Sequence, residues 1–141
     1  MNDEERLEQG MTVRRAVLGD EWVDHAQAKR NSFTTEFQDF ITRYAWGEVW
    51  SRPGLDRRSR SLMTLAMMIT LGRWDEFRLH IRAALNNGLT TAEIKEVIMH
   101  AAIYAGLPAA NSAFAEAMEA LKACGIDIDA EDSSCVPPER R

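Results

Sequence analysis

Apolar residues recur along this chain three and four positions apart, and no sustained alternation of apolar and polar residues indicates strands. The apolar runs are interrupted at glycine, proline and asparagine, which commonly end helices. We therefore predict an all-α fold, a compact bundle of six or seven helices. One helix ends before Gly19, and the others cover about residues 21–30, 34–49, 57–71, 74–86, 91–105 and 109–123.

Several helix ends carry side chains that satisfy the free backbone groups there. Gly19-Asp20 is interpreted as a helix stop followed by an N-cap, and Asp56 is predicted to cap the helix after the Arg52-Pro53-Gly54 turn. Thr90 with Glu93 three residues later has the pattern of a capping box. These local signals set the boundaries of the predicted helices.

Two of the predicted helices differ in how their apolar residues are arranged. The helix over 57–71 is apolar on nearly all sides, which predicts a central, buried helix with its methionines as core filler. The next helix, over 74–86, is amphipathic. Its predicted buried face consists of Trp74, Phe77, Ile81, Ala84 and Leu85.

Composition narrows the classes of function. The chain has 141 residues, a formal net charge of −5 and 2 cysteines. Its acidity argues against nucleic acid as a partner, and the wide spacing of Cys124 and Cys135 argues against a CxxC redox centre or a cysteine-rich zinc site. We expect one domain over 1–126, an acidic, proline-containing tail over 127–141, no membrane span, no metal and a cytoplasmic location.

The most informative polar pattern lies at the start of the helix over 74–86. Glu76 and His80 are four residues apart and so share one helix face, within hydrogen-bonding reach, and Arg73 falls in the same stripe. A carboxylate and an imidazole beside an apolar surface can bring each other's pKa toward neutrality for acid–base catalysis. An ordinary surface pair is the alternative interpretation of this spacing.

Other candidate residues are scattered. Arg52 and Arg58 belong to a basic cluster in an otherwise acidic chain, and cations at a helix N-terminus oppose the helix dipole unless an anion is bound there. His100 lies near Glu96 and Tyr104 at helical spacing, which fits a helix contact or a subunit contact as well as a site. Trp46 and Trp74 are interpreted first as core or interface anchors.

Taken in order, several short motifs resemble the carboxymuconolactone decarboxylase family over roughly residues 19–125. They are Tyr44-Ala45-Trp46-Gly47, Arg52-Pro53-Gly54-Leu55-Asp56-Arg57-Arg58, Leu71-Gly72-Arg73 with Glu76 and His80, Asn87-Gly88-Leu89-Thr90 with Glu93-Ile94, and His100 with Tyr104-Ala105-Gly106 and Pro108-Ala109-Ala110. Peroxidase-type relatives carry a CxxC pair where this chain has Arg73 and Glu76. That departure favours the decarboxylase branch.

The resemblance implies an alkylhydroperoxidase-D-like helical fold that assembles as a homo-oligomer, a trimer or a hexamer. It also implies decarboxylation, without a cofactor, of a small lactone dicarboxylate in aromatic compound catabolism, on the protocatechuate branch of the β-ketoadipate pathway. The resemblance and the needs of this reaction together make His80 the expected proton donor and Glu76 its partner. The expected substrate-binding residues are Arg73, Arg58, Arg52, Trp46, Trp74 and His100.

Three other functions are also compatible with the sequence. One is a peroxidase-like member that uses a single cysteine, and another is a non-catalytic helical oligomerisation module. A helix-turn-helix DNA binder is a third, although the net charge and the glutamates Glu93 and Glu96 near the helix start speak against it.

Overall fold

The computed structural model describes residues 1–130, and the regular elements of this part of the chain are all helices, with no strand. The predicted all-α class is therefore confirmed for the described residues. The seven α-helices are α1 (Asp3–Leu18), α2 (Asp20–Ala28), α3 (Thr35–Ile41), α4 (Arg57–Leu71), α5 (Trp74–Asn86), α6 (Thr91–Tyr104) and α7 (Leu107–Ala123), and a π-helical segment (Thr42–Val49) directly follows α3.

The chain divides into two compact units, Met1–Arg60 and the part from Ser61 onward. The second unit contains a continuous apolar core to which α4, α5, α6 and α7 all contribute. Its fully buried side chains include Leu65 and Ile69 of α4, Phe77 and Ile81 of α5 and Ile98 of α6. The face predicted for the helix over 74–86 is confirmed at Phe77, Ile81 and Ala84, while Trp74 and Leu85 pack against the edge of this core.

In the first unit α1 packs against the π-helical segment through two glycines. A Cβ atom on Gly10 would lie 1.9 Å from the carbonyl oxygen of Thr42, and one on Gly47 would lie 2.4 Å from the carbonyl oxygen of Arg6. Beside this contact the buried Arg14 donates to the Thr42 hydroxyl at 3.4 Å. The helix predicted over 34–49 is thus present, but its second half is π-helical.

The prediction that the helix over 57–71 is buried on all sides is wrong. In α4 only one stripe is buried, at Ser61, Leu65 and Ile69, whereas Met67 and Leu71 are largely exposed. A helix of this length meets the core of its own unit along one face, so an apolar opposite face needs a further surface to cover it.

Helix boundaries follow the local signals closely, with two corrections. Asp20 is not an N-cap: Gly19 occupies that position, and Asp20 is the first residue of α2, with its carboxylate bound to Arg15 at 3.1 Å. The last helix starts at Leu107 rather than Ala109, because Pro108 is tolerated in the first turn, where no backbone donor is needed. The capping box at Thr90 and the cap at Asp56, whose carboxylate accepts from the Ser59 amide at 2.7 Å, are confirmed.

Residues 127–130 are exposed, and the remainder of the predicted tail, including Cys135, lies outside the described residues. A search of the described helices finds none that is long and apolar enough to cross a bilayer.

Candidate active site

The turn between α4 and α5 determines where the charged residues of the predicted site stand. Gly72 has φ +69°, its amide donates to the Ile69 carbonyl at 3.1 Å, and the Arg73 amide donates to the Met68 carbonyl at 2.9 Å. This is a Schellman ending, in which glycine takes the left-handed position at low cost. Only Gly72 and Arg73 separate the two helices, and Arg73 is the residue that precedes α5.

The first turn of α5 brings Arg73 and Glu76 together. The Arg73 guanidinium donates to the Glu76 carboxylate at 2.7 Å, and both side chains are substantially exposed. This hydrogen bond is the main cause that lowers the pKa of Glu76, helped by the backbone amide of Glu76 itself. Glu76 is therefore an anion at neutral pH and is held beside a cation, at a helix end where backbone amides favour negative charge.

His80 lies one turn further along α5, and its Nδ1 atom is buried. Burial lowers the pKa of His80 to about 4, and the negative charge of Glu76 opposes that shift only in part. The expectation that the carboxylate brings this imidazole pKa toward neutrality is therefore not met in the free protein. His80 is a neutral imidazole at pH 7 in a mostly dry environment.

One ion pair attaches α5 to α7. Arg78 forms ion pairs with Asp75 on the same helix and with Glu116 on α7. Trp74 presents its ring edge-on to Phe77, with the ring centroids 5.6 Å apart. The backbone that carries Arg73, Glu76 and His80 is thereby attached to the core, which is what a site needs for fixed geometry.

Three predicted site residues lie in the first unit. Trp46 is buried and stacks on Trp50 with a centroid distance of 5.2 Å, so its role as a core anchor is borne out. Arg52 is exposed in the turn before α4, and its carbonyl accepts from Arg60 at 3.1 Å. Arg58 lies in the first turn of α4, where its charge helps the Ser59 amide and hydroxyl to lower the pKa of Asp56.

His100 lies in a groove of about 720 Å³ between α4 and α6. Its ring packs against Tyr104 at 5.1 Å, and two carboxylates, Glu93 and Glu96, line the same groove. The rest of the lining is mainly apolar, including Met63 of α4. Sequence reasoning did not predict this groove, although apolar residues on the outer faces of both helices were a signal for it.

Within the described residues no cluster of three histidine, cysteine, aspartate or glutamate side chains could hold a metal ion. The structure thus brings together Arg73, Glu76 and His80 at the start of α5 in the second unit, and Trp74 lies in the first turn of the same helix. It places His100 in a separate groove of that unit, and Trp46, Arg52 and Arg58 in the first unit.

A helical chain that carries Arg73 and Glu76 where related redox proteins would carry two cysteines, followed by His80 one turn later, fits a family of decarboxylases. The profile of the carboxymuconolactone decarboxylase family matches residues 35–119, and the chain belongs to this family.

Individual members of known function are also similar in sequence to this chain. The chain is 54% identical over 126 residues to 4-carboxymuconolactone decarboxylase of Acinetobacter baylyi, which covers 89% of this chain and 94% of that protein. It is 49% identical over 102 residues to nitrosuccinic acid decarboxylase of Metarhizium robertsii, which covers 72% of this chain and 71% of that protein. A match to 4-carboxymuconolactone decarboxylase of Pseudomonas putida is 52% identical over 48 residues, the whole of that sequence and 34% of this one.

Proposed function

We propose that this chain is a carboxy-lyase that converts 4-carboxymuconolactone to the β-ketoadipate enol-lactone in the catabolism of protocatechuate. The observation that carries the proposal is the 54% identity to the Acinetobacter enzyme over nearly the full length of both chains. The two decarboxylases named above share one chemical demand. Loss of carbon dioxide leaves an electron pair that must be accepted by another group of the substrate.

In the lactone, that electron pair delocalises from the carbon that loses the carboxylate, through the ring double bond, onto the lactone carbonyl oxygen. The substrate therefore supplies its own electron sink, and the reaction needs no pyridoxal phosphate or thiamine. One carbon–carbon bond breaks, carbon dioxide leaves, and one proton is added to the carbon beside the carbonyl. The protein has to bind the carboxylates, stabilise the enolate oxygen and deliver that proton.

The residues of α5 fit this division of work. Arg73 is exposed and has five N–H donors, so it can keep its bond to Glu76 and also bind a substrate carboxylate. His80 is the proposed proton donor. Since its pKa is about 4 in the free protein, the negative charge of the bound substrate has to raise that pKa before His80 carries the proton.

The other predicted site residues keep narrower roles in the proposal. Arg52 and Arg58 are candidates for the second substrate carboxylate, and Trp74 is a candidate for an apolar wall beside the leaving group. Trp46 is buried against Trp50 and would act through packing. His100 is the weakest member of the set, because Glu93 and Glu96 in its groove repel a dicarboxylate. We also propose that the active form is a homo-oligomer, a trimer or a hexamer, since apolar residues on the outer faces of α4 and α6 are exposed.

A spectrophotometric assay with enzymically prepared 4-carboxymuconolactone tests the function. The wild-type chain is expected to remove the conjugated chromophore and to release carbon dioxide, with nitrosuccinate as the competing substrate and a hydroperoxide as the test of the peroxidase alternative. No turnover of the lactone, or faster turnover of either competitor, would overturn the assignment.

The role of His80 has its own test in the same assay. His80→Ala should lower kcat by about 10²–10⁴-fold, the usual contribution of a positioned general acid, while the native mass stays that of the wild type. His25→Ala, which removes an exposed histidine of α2, is the matched control. Near wild-type turnover by His80→Ala would remove His80 from the mechanism, and tolerance of substitution at His80, Glu76 and Arg73 together would favour a non-catalytic module.

A further inference from the structure

A row of exposed aromatic side chains extends from the turn before α3, along α3, into the π-helical segment that follows it. Phe33, Phe37, Phe40 and Tyr44 follow one another at spacings of four, three and four residues, and we call this row the aromatic ridge. The phenylalanines are 94%, 61% and 54% exposed, and the Phe40 and Tyr44 rings are 5.3 Å apart. Three exposed phenylalanines in one row are unusual on the surface of a protein that acts alone.

The groove between α4 and α6 is the complementary feature in the second unit. Its floor and walls include Leu62, Met63 and Ala66 of α4 and Val97 and Ala101 of α6. Anchors at positions i, i+4 and i+7 of a helix that lies in an apolar groove are a recurrent mode of recognition. Methionine at the rim suits aromatic anchors, because its sulfur makes favourable contacts with ring edges.

The negative charges of the groove make it an unfavourable binding site for the proposed dicarboxylate substrate. Glu93 and Glu96 both line it, and Glu93 is held in place by the Thr90 amide, which donates to it at 2.9 Å. A small dicarboxylate would meet two like charges and no lysine or arginine among the groove's lining residues. An apolar side chain meets no such cost.

We propose that the aromatic ridge of one copy of this chain docks into the α4/α6 groove of a second copy. The exposed area of the ridge is large enough to form a substantial part of a stable interface. Complete burial of an aromatic residue removes about 150–250 Å² from water, so the exposed parts of the four ridge residues amount to about 400–600 Å². That is about half to three quarters of the roughly 800 Å² that each partner buries in a stable complex, and the ends of α4 and α6 can supply the rest.

Such a contact joins two different surfaces, so it is heterologous: when two copies meet through one such contact, one copy keeps a free groove and the other keeps a free ridge. A contact of the same surface with itself would stop at two copies. A mixing experiment therefore distinguishes the proposed contact from an isologous pairing of the apolar α4/α6 faces.

The test uses one variant for each surface. Phe37→Asp places a charge in the ridge, and Met63→Asp places one in the groove. Met118→Asp, at a similarly exposed methionine of α7, is the matched control. Native mass spectrometry and sedimentation give the mass of each form at equal concentration, and circular dichroism with thermal unfolding checks that each variant is folded. Wild type and Met118→Asp are expected to share one oligomeric mass, and the other two variants to have lower masses.

Mixing the two interface variants gives the decisive result. Phe37→Asp retains an intact groove and Met63→Asp an intact ridge, so an equimolar mixture should form a complex with one copy of each that neither variant forms alone. A monomeric wild type, an unchanged mass for either variant, or a mixture without the mixed complex would overturn the proposal. If either variant fails to fold, Phe40→Ser and Ala66→Glu replace Phe37→Asp and Met63→Asp under the same criteria.

Discussion

Replacing His80 with glutamine should remove a loss of stability that the wild-type chain suffers between about pH 7.5 and pH 5. Burial lowers the pKa of His80 to about 4 in the folded protein, whereas an unfolded histidine has a pKa of about 6.5. Between these two pH values the His80 imidazole is protonated in the unfolded chain and neutral in the folded chain. The free energy of unfolding therefore falls as the pH falls through this range, and the contribution of His80 is fully present only above about pH 6.5.

The size of the effect follows from the two pKa values. At about pH 7.5 both states are almost fully deprotonated, and the contribution is close to its full value. At about pH 5 the unfolded histidine is protonated and the folded one is mostly neutral, which costs the folded state about 2 kcal/mol. His80→Gln carries no titrating group at this position, so it should lack this part of the decline while the carboxylates titrate as before.

Urea unfolding at fixed protein concentration, followed at the two pH values, measures the difference directly. The expected result is a pH-dependent decline about 2 kcal/mol smaller in His80→Gln than in the wild type, and His25→Gln serves as the control that also removes one histidine. Equal declines in wild type and His80→Gln would mean that His80 is not held neutral by burial, and the argument that substrate must raise its pKa would then fail.

Two further substitutions test the site and the first unit. Arg73→Gln should raise KM by about 10–100-fold, since a charge-assisted bond to a carboxylate contributes about 1.5–3 kcal/mol. It should leave the free energy of unfolding nearly unchanged, because the side chain is exposed. Kinetics that match the wild type would exclude Arg73 from substrate binding. Gly10→Ala should destabilise the fold by about 3 kcal/mol in urea unfolding, because its Cβ atom would lie 1.9 Å from the Thr42 carbonyl oxygen, whereas Gly54→Ala meets nothing within 4 Å and should be tolerated. Equal stability of these two glycine variants would show that α1 and the π-helical segment separate at little cost.

Features set by a few neighbouring residues were predictable from the sequence. The capping box at Thr90 and Glu93 depends on two side chains and two amides within one turn, and the structure contains both hydrogen bonds. Gly72 ends α4 in the left-handed conformation because glycine accepts positive φ more readily than other residues. The bounds of α5 followed in the same way and match the structure.

Features set by distant residues were not predictable from local patterns. The π-helical segment depends on the approach of Gly10 in α1 to Thr42, thirty-two positions later, and no local sequence signal marks it. The spacing of Glu76 and His80 was visible, but it does not reveal that Arg73 binds the carboxylate or that burial outweighs its effect on the imidazole pKa. The burial of α4 was overestimated for a related reason. An apolar pattern indicates that a helix face is unfavourable in water, but it does not identify the surface that buries that face.

The charges of α5 also constrain how a dicarboxylate can bind. Asp75 is paired with Arg78 and Glu76 with Arg73, so the first turn of this helix has little positive charge to spare. One substrate carboxylate can share the guanidinium of Arg73, because five donors exceed the needs of Glu76. The other arginines of α5 are Arg78, which is already paired with Asp75 and Glu116, and Arg82, six residues beyond Glu76, so the first turn of α5 does not itself neutralise the second carboxylate. A dicarboxylate therefore needs a second guanidinium, which is the physical reason to retain Arg52 and Arg58, before and within the first turn of α4, as predicted binding residues beside Arg82.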